Sequence, residues 1–346
     1  RLYAVKARPL DHPVIVHFAT AAHAFAWARD VPEAARRLAA RFWPGPLTII
    51  LRRAPSVGDQ VTGGQDTIGL RVPAHPVAHA LLDAFAARRP GAGVAAPSAN
   101  RFGRVSPTRA AHVRADLGDD VDCVLEGGSS EIGIESTIVD LSRGPAVLLR
   151  PGAIGVAELE AVLGGSVADK DSADRGDVAL PRHSGGLARH YAPRTPARLV
   201  APHALDQAIA QTHGVLAVLA FSRPDVPVHA WRRMPRAPSA YAQKLYAALR
   251  ELDACSCDAI LVEAPPATPA WTAVNDRLRR ACTPAYNRSM RSRALMTLFL
   301  IVALAGCASN SYTWVSAGSL TAGTLPAAGT TVSSGYVNVS VASSSA

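Results

Sequence analysis

The chain has 346 residues, 49% of them hydrophobic and 18% charged, with a formal net charge of +9. That length is enough for two domains with cores of their own, and the Ala-rich, half-apolar composition suits a soluble α/β protein. The charge excludes a concentrated nucleic-acid face: Arg288, Arg291 and Arg293 stand in a tail without acids, and the other +6 is spread with no dense basic run.

Arginine outnumbers lysine 33 to 3, which reads as genomic base composition rather than function. The five cysteines (Cys123, Cys255, Cys257, Cys282, Cys307) are odd in number and lack metal-site spacing, so reduced cytoplasmic thiols are expected.

From the N-terminus, Leu2-Tyr-Ala-Val-Lys-Ala-Arg8 alternates and predicts a strand with Lys6 and Arg8 on one face. An arginine there can grip phosphate or carboxylate through two parallel hydrogen bonds. His17 closes the apolar run Val14-Ile-Val16, where a lone histidine is more often a core residue than a ligand. Residues 31–42 predict a helix, and Trp43-Pro-Gly-Pro46 a rigid turn shaping a wall. Thr67-Ile-Gly-Leu-Arg71-Val predicts a strand with Thr67, Gly69 and Arg71 on one side, followed by a helix over 74–87.

Val94-Ala-Ala-Pro-Ser-Ala-Asn100 reads as a buried strand stopping at a polar loop. Ser98, Asn100, Ser106 and Thr108 then offer neutral donors and acceptors suited to an anion held close to backbone. Gly133-Ile-Glu-Ser-Thr137-Ile-Val-Asp140 leads into another strand; Glu135 is either a base or an ion-pair or capping partner. Val147-Leu-Leu-Arg150 ends a further strand on a cation. One such arginine is a solvated strand end; several, each beside small polar residues, favour a shared anion pocket.

Residues 166–196 read as a linker, broken by Pro181, Gly185, Gly186, Pro193 and Pro196, yet carrying His190-Tyr191, unusual for a spacer. Residues 197–287 read as a smaller α/β unit, with strands over 215–221 and 259–263 and helices over 239–252 and 271–281. Tyr241, Leu245, Leu249 and Leu252 form one stripe of the first of these helices. This unit has no Gly-rich phosphate loop. The tail, 288–346, is foreign in character. From Met290 it has a basic start, a short apolar core and a Leu-Ala-Gly-Cys307 ending, the layout of a lipoprotein signal peptide, so two joined reading frames are expected.

Several of these segments stand in the order of a known family. Lys6-Ala-Arg8-Pro with His12-Pro-Val-Ile-Val-His17, Phe42-Trp-Pro-Gly-Pro-Leu-Thr48, Gly69-Leu-Arg71-Val-Pro73 and Ala96-Pro-Ser-Ala-Asn100 come first. Ser106-Pro-Thr108, Gly133-Ile-Glu-Ser-Thr137-Ile-Val-Asp140, Arg150-Pro-Gly152 and Ser184-Gly-Gly-Leu-Ala-Arg-His190-Tyr-Ala-Pro193 follow. The set resembles the YrdC-like threonylcarbamoyl-AMP synthase family, in the long form with a C-terminal domain, over residues 1 to about 285. The resemblance implies a YrdC-like twisted mixed sheet with helices over 1–165, a linker over 166–196 folding over the active site, and a smaller Rossmann-like α/β domain over 197–287. The family carries a strand and helix with a Pro-Thr-Glu-Thr-Tyr-Gly type segment ahead of the Lys-x-Arg motif, so a chain starting at Arg1 is expected to be N-terminally truncated.

The activity implied is L-threonylcarbamoyladenylate synthesis from ATP, L-threonine and bicarbonate, feeding the tRNA threonylcarbamoyl transferase machinery in the cytoplasm. By motif position, Lys6 and Arg8 would be catalytic and, with His12, would face the ATP phosphates. Thr67, Asn100, Ser106, Arg150 and Tyr191 would complete the nucleotide site, and His17, Arg71, Ser98 and Ser136 would bind threonine. Mg²⁺ would come with ATP, without a carboxylate cage on the protein. The alternatives are a noncatalytic double-stranded RNA-binding module, with weak RNA binding, a carbamoyl-transferring domain of hydrogenase maturation, and an inactive fragment of the enzyme. No membrane partner is expected for the enzyme part.

Overall fold

The structure, a computed structural model, describes residues 1–173 and 179–284. The lipoprotein-signal-like segment from Met290 and the rest of the tail lie outside them.

The larger sheet is mixed. Its strands are β1 (Ile15–His17), β2 (Leu47–Arg52), β3 (Thr67–Arg71), β4 (Val94–Ala95), β5 (Thr137–Asp140), β6 (Val147–Arg150) and β7 (Ala168–Asp169), in the order β4-β1-β3-β2-β5-β6-β7. β2 sits at the centre because Leu-Thr-Ile-Ile-Leu is apolar on both faces, and these five residues are all buried. Its Thr48 hydroxyl is satisfied by Ser136 Oγ at 2.8 Å. The helix Glu33–Phe42, opened by Pro32, packs one face on this core through Ala35, Leu38, Ala39 and Phe42, at the spacing of an amphipathic helix.

A second sheet is parallel throughout: β8 (Ala197–Val200), β9 (Leu216–Ala220), β10 (Ala230–Arg233) and β11 (Ala259–Glu263), in the order β10-β9-β11-β8. The helices Pro238–Asp253 and Thr272–Ala281 bury Tyr241, Leu245, Leu249, Leu252 and Leu278 against β9 and β11. The same core takes in Val105, Ile134 and Tyr191 from the first half of the chain and the linker. Residues 1–284 accordingly belong to one compact unit. A part-buried bridge between Arg250 and Asp116, 3.0 Å from Nη1 to Oδ1, reinforces the join.

Two expectations need correction. Residues 2–8 do not form a strand: Leu2–Lys6 is a short helix ended by Ala7 in the left-handed region, φ 51°. Seven alternating residues do not separate a period of 2 from one of 3.6, and Leu, Ala and Lys are all good helix formers. Regular structure also runs past residue 165, because Ala168–Asp169 pairs with β6 as an outer strand.

The continuity of the second core gives a direct test. Leu245 is fully buried in it. Leu245→Ala should lower unfolding stability by about 2–5 kcal/mol, read by urea denaturation. Since this second core takes residues from both halves, the transition should stay single; two resolved transitions would contradict that continuity.

Candidate active site

Strand pairing gathers the predicted residues at one end of the larger sheet. β1 and β3 run parallel, with His17 opposite Arg71. β2 runs against β3, so its first residues lie at that end, and β5 starts beside them with Thr137 opposite Leu47. β6 returns along β5 and finishes there, Arg150 opposite Ile138. His17, Arg71, Ser136 and Arg150 therefore line one hollow of about 50 Å³, which Arg8, Ser98 and Tyr191 also line.

Each guanidinium is partly anchored by backbone carbonyls. Arg71 Nε donates to Gly45 O at 3.0 Å, so the Trp43–Pro46 turn, which has a cis Trp43–Pro44 bond, holds the Arg71 side chain. Arg150 donates to Ser136 O at 2.9 Å, Ser136 Oγ at 3.0 Å and Ser184 O at 3.0 Å. Arg8 Nη2 donates to Pro13 O at 2.6 Å and its guanidinium lies over the Phe102 ring. Arg71 Nη2, Arg8 Nε, His17 Nδ1 and the Tyr191 hydroxyl are nonetheless buried without a hydrogen-bond partner. Buried polar atoms left open cost free energy, and with His190 Nδ1 there are five around one hollow, which points to a ligand that fills them.

The charge of the hollow is positive. Burial, and then Arg150, pushes Arg71 down to about 9, still protonated at neutral pH. Burial, and then Arg71, holds His17 at about 3, and burial holds His190 at about 3, so both imidazoles are neutral. Glu135 lines the hollow but is already engaged. Burial would raise its pKa, but Arg277, Arg150 and hydrogen bonds from Ser106 and Arg277 outweigh that and hold it at about 2. The ion-pair alternative for Glu135 is thus the one the structure bears out, with Arg277 Nε at 2.8 Å.

The linker closes one side. Ser184, Gly185, His190 and Tyr191 all line the hollow. Tyr191 sits at φ 57° and Gly185 at φ 79°, and a Cβ on Gly185 would collide with the Tyr191 hydroxyl, so glycine is required there.

Other predicted residues lie elsewhere. Lys6 Nζ donates to the carbonyls of Asn100, at 2.6 Å, and Ser98. Burial, and then Arg8, pushes Lys6 down to about 7. It lines a larger neighbouring hollow of about 280 Å³ with Leu2, Val5 and Asp122. Size alone would favour that hollow, but the unpaired buried donors converge in the smaller one. His12 is half-buried, edge-on to Phe102. Asn100 Nδ2 donates to Arg101 O and Arg104 O, both at 2.9 Å, and the Ser106 hydroxyl donates to Glu135 Oε1 at 2.7 Å. Thr67 lines an adjoining hollow that shares Ile15 and Ser184 with the first. Ser184, His190 and Arg277 were not among the predicted site residues; the first two lie in the quoted linker motif, whereas nothing in the local sequence signals Arg277.

Comparison with known proteins agrees with this architecture. Residues 1–152 match the Sua5/YciO/YrdC family profile, described as telomere recombination, and residues 154–283 match the threonylcarbamoyl-AMP synthase C-terminal domain. The chain is 35% identical over 293 residues to threonylcarbamoyl-AMP synthase of Pyrococcus abyssi, covering 81% of this chain and 83% of that protein. It is 36% identical over 293 residues to the Bacillus subtilis enzyme of the same name, covering 81% and 82%. The crystal structure of P. abyssi Sua5 complexed with L-threonine superposes with a TM-score of 0.73 at 34% identity, covering 82% of this chain and 83% of that one. Both halves and their joined core thus place the chain in the threonylcarbamoyl-AMP synthase family, in the form that carries the C-terminal domain.

Proposed function

We propose that the arginine-lined hollow is where the anionic groups of ATP and L-threonine meet, and that the chain makes L-threonylcarbamoyladenylate there. The observation that carries this reading is the set of buried, unpartnered donors on Arg8, Arg71, His17 and Tyr191 around one cavity. A relative solved with L-threonine adds support for the amino-acid substrate.

In this reaction the threonine amine captures bicarbonate carbon as a carbamate, releasing water. A carbamate oxygen then bonds to the α-phosphorus of ATP while the bond to the pyrophosphate oxygen breaks. No covalent enzyme intermediate is needed, so catalysis consists of positioning reactants and neutralising charge at phosphate. Arg71, with an open Nη2, suits the threonine carboxylate, flanked by His17, Ser98 and Ser136. Arg8 and Arg150 suit the phosphates, with Tyr191 and, in the adjoining hollow, Thr67. Lys6 contributes by holding the Ser98 and Asn100 carbonyls, so it shapes the loop that carries Ser98. Ser106 acts through Glu135, while Asn100 and His12 form the wall behind.

A cavity of about 50 Å³ holds a phosphate-sized group, not a whole nucleotide. The lining does not fit a protein-held metal, since its carboxylate is committed to Arg277, Tyr246 and Ser106. Mg²⁺ would be carried by the triphosphate, and no step is assigned to it. The product would pass to the tRNA-modifying machinery. No helix among the described residues is long and apolar enough to cross a membrane, and we place the enzyme part in the cytoplasm.

The purified protein should release pyrophosphate from ATP only when both threonine and bicarbonate are present. Tight RNA binding without such turnover would favour a noncatalytic module instead. Within the site, Arg71→Ala should raise KM for threonine by roughly ten- to a hundredfold, the loss of one charge-assisted contact, while ATP binding changes little. Arg150→Ala should weaken ATP binding first. Equal effects of the two substitutions on both substrates, in steady-state kinetics with each substrate varied, would refute the division of roles.

A further inference from the structure

We propose that Arg277, on the C-terminal helix Thr272–Ala281, is a positioning residue for the anion hollow, neutralising Glu135 so that this carboxylate does not repel the incoming ligand. The inference builds on the reading that the hollow binds phosphate and carboxylate. Glu135 is the one acidic residue among the described residues that line it. Arg277 is fully buried and bonds to Glu135 twice, from Nε to Oε2 at 2.8 Å and from Nη2 to the main-chain O at 3.2 Å.

One guanidinium therefore reaches three parts of the wall. It fixes the entry to β5 through Glu135, next to Ser136. It fixes the turn after Arg150 by donating to Pro151 O at 2.9 Å. It also lies over the Tyr191 ring, 5.4 Å from the centroid. The second donor to Glu135 Oε2 comes from the same half of the chain, the Tyr246 hydroxyl at 2.9 Å. Nη1 also meets Asp276 Oδ2 at 2.8 Å, and the charge of Asp276 is in turn offset by Arg280.

A buried ion pair is weak as a stabilising device, because apolar residues of similar volume often do as well. Its value here is electrostatic and local. The charged and titratable groups facing Glu135 are Arg277, Arg150, Tyr246, Tyr191 and His190. Without Arg277 the carboxylate would stand beside Arg150 and cancel part of the attraction that a phosphate meets. The C-terminal half thus supplies a charge that the site needs, without touching substrate.

The test is calorimetric binding of a nonhydrolysable ATP analogue to the full chain at about pH 8 and about pH 6, with near-UV circular dichroism to check folding. Arg277→Met should weaken binding roughly ten- to a hundredfold relative to the parent at the higher pH. Part of that loss should return at the lower pH, because burial raises the pKa of Glu135 once Arg277 no longer lowers it. Adding Glu135→Gln to Arg277→Met should restore most of the affinity, and Arg277→Lys should keep it. A folded Arg277→Met protein with parental affinity overturns the proposal, as does a loss independent of pH and not rescued by Glu135→Gln. If Arg277→Met does not fold, Glu135→Gln alone decides: tighter binding is expected from the uncovered positive charge, and weaker binding overturns the proposal. A parent protein that binds no analogue would refute the functional reading itself, and this inference with it.

Discussion

Three guanidinium groups are buried around one hollow whose described lining has no free carboxylate to balance them, and that imbalance orders the surrounding structure. Taking a cation out of water costs several kcal/mol unless polar partners replace the water. The chain supplies those partners as backbone carbonyls: Gly45 for Arg71, Pro13 for Arg8, Ser136 and Ser184 for Arg150. The turn around Pro44 lies just before β2 at the Arg71 end of the sheet, whereas Pro13 lies just before β1 and Ser184 in the linker. The carbonyls satisfy only part of each fork. Arg71 Nη2 and Arg8 Nε are left without a partner, and on the proposed function these are the groups that an oxyanion would satisfy.

The second half of the chain is tied to the same problem. Its core is continuous with Val105, Ile134 and Tyr191, so the helices over β9 and β11 lie directly behind the wall of the hollow. Arg250 clamps the Val105 and Ser106 carbonyls and Asp116, and Asp253 accepts from the backbone N–H groups of Arg194 and Thr195 at the end of the linker. The linker is thus held at its exit by the C-terminal half while its middle closes the cavity. The segment is also held near Ser184, whose main-chain O accepts from Arg150 and whose hydroxyl donates to Pro13 O.

Much of this was legible in the sequence, for reasons that differ by element. The runs that became β3, β6 and β11 were readable because each is a short apolar stretch ended by a charge or a proline. The helix Pro238–Asp253 was readable because four apolar residues mark one stripe across its length. Residues 2–6 were misread because so short an alternation carries no period. The convergence of Arg71 and Arg150 could be suspected from composition, but the proof lies in strand order, which no local pattern encodes. The Arg277–Glu135 pair spans 142 positions and joins a helix to a strand entry, so nothing near either residue announces it.

Arginine suits this site on the same electrostatics, in a chain where it outnumbers lysine 33 to 3 throughout. Burial lowers the pKa of any cation, and here it brings a lysine close to neutrality: Lys6 falls to about 7. A lysine in the hollow could lose its proton at working pH and with it the charge an anion requires. Arg71, buried as deeply beside a second guanidinium, falls only to about 9 and stays charged. The residues that face the hollow as cations are accordingly arginines, while Lys6 is turned onto two carbonyls, where it serves as a donor that orders a loop. The division between reading an anion and holding a backbone is therefore set by how far each side chain can be desolvated before it gives up its proton.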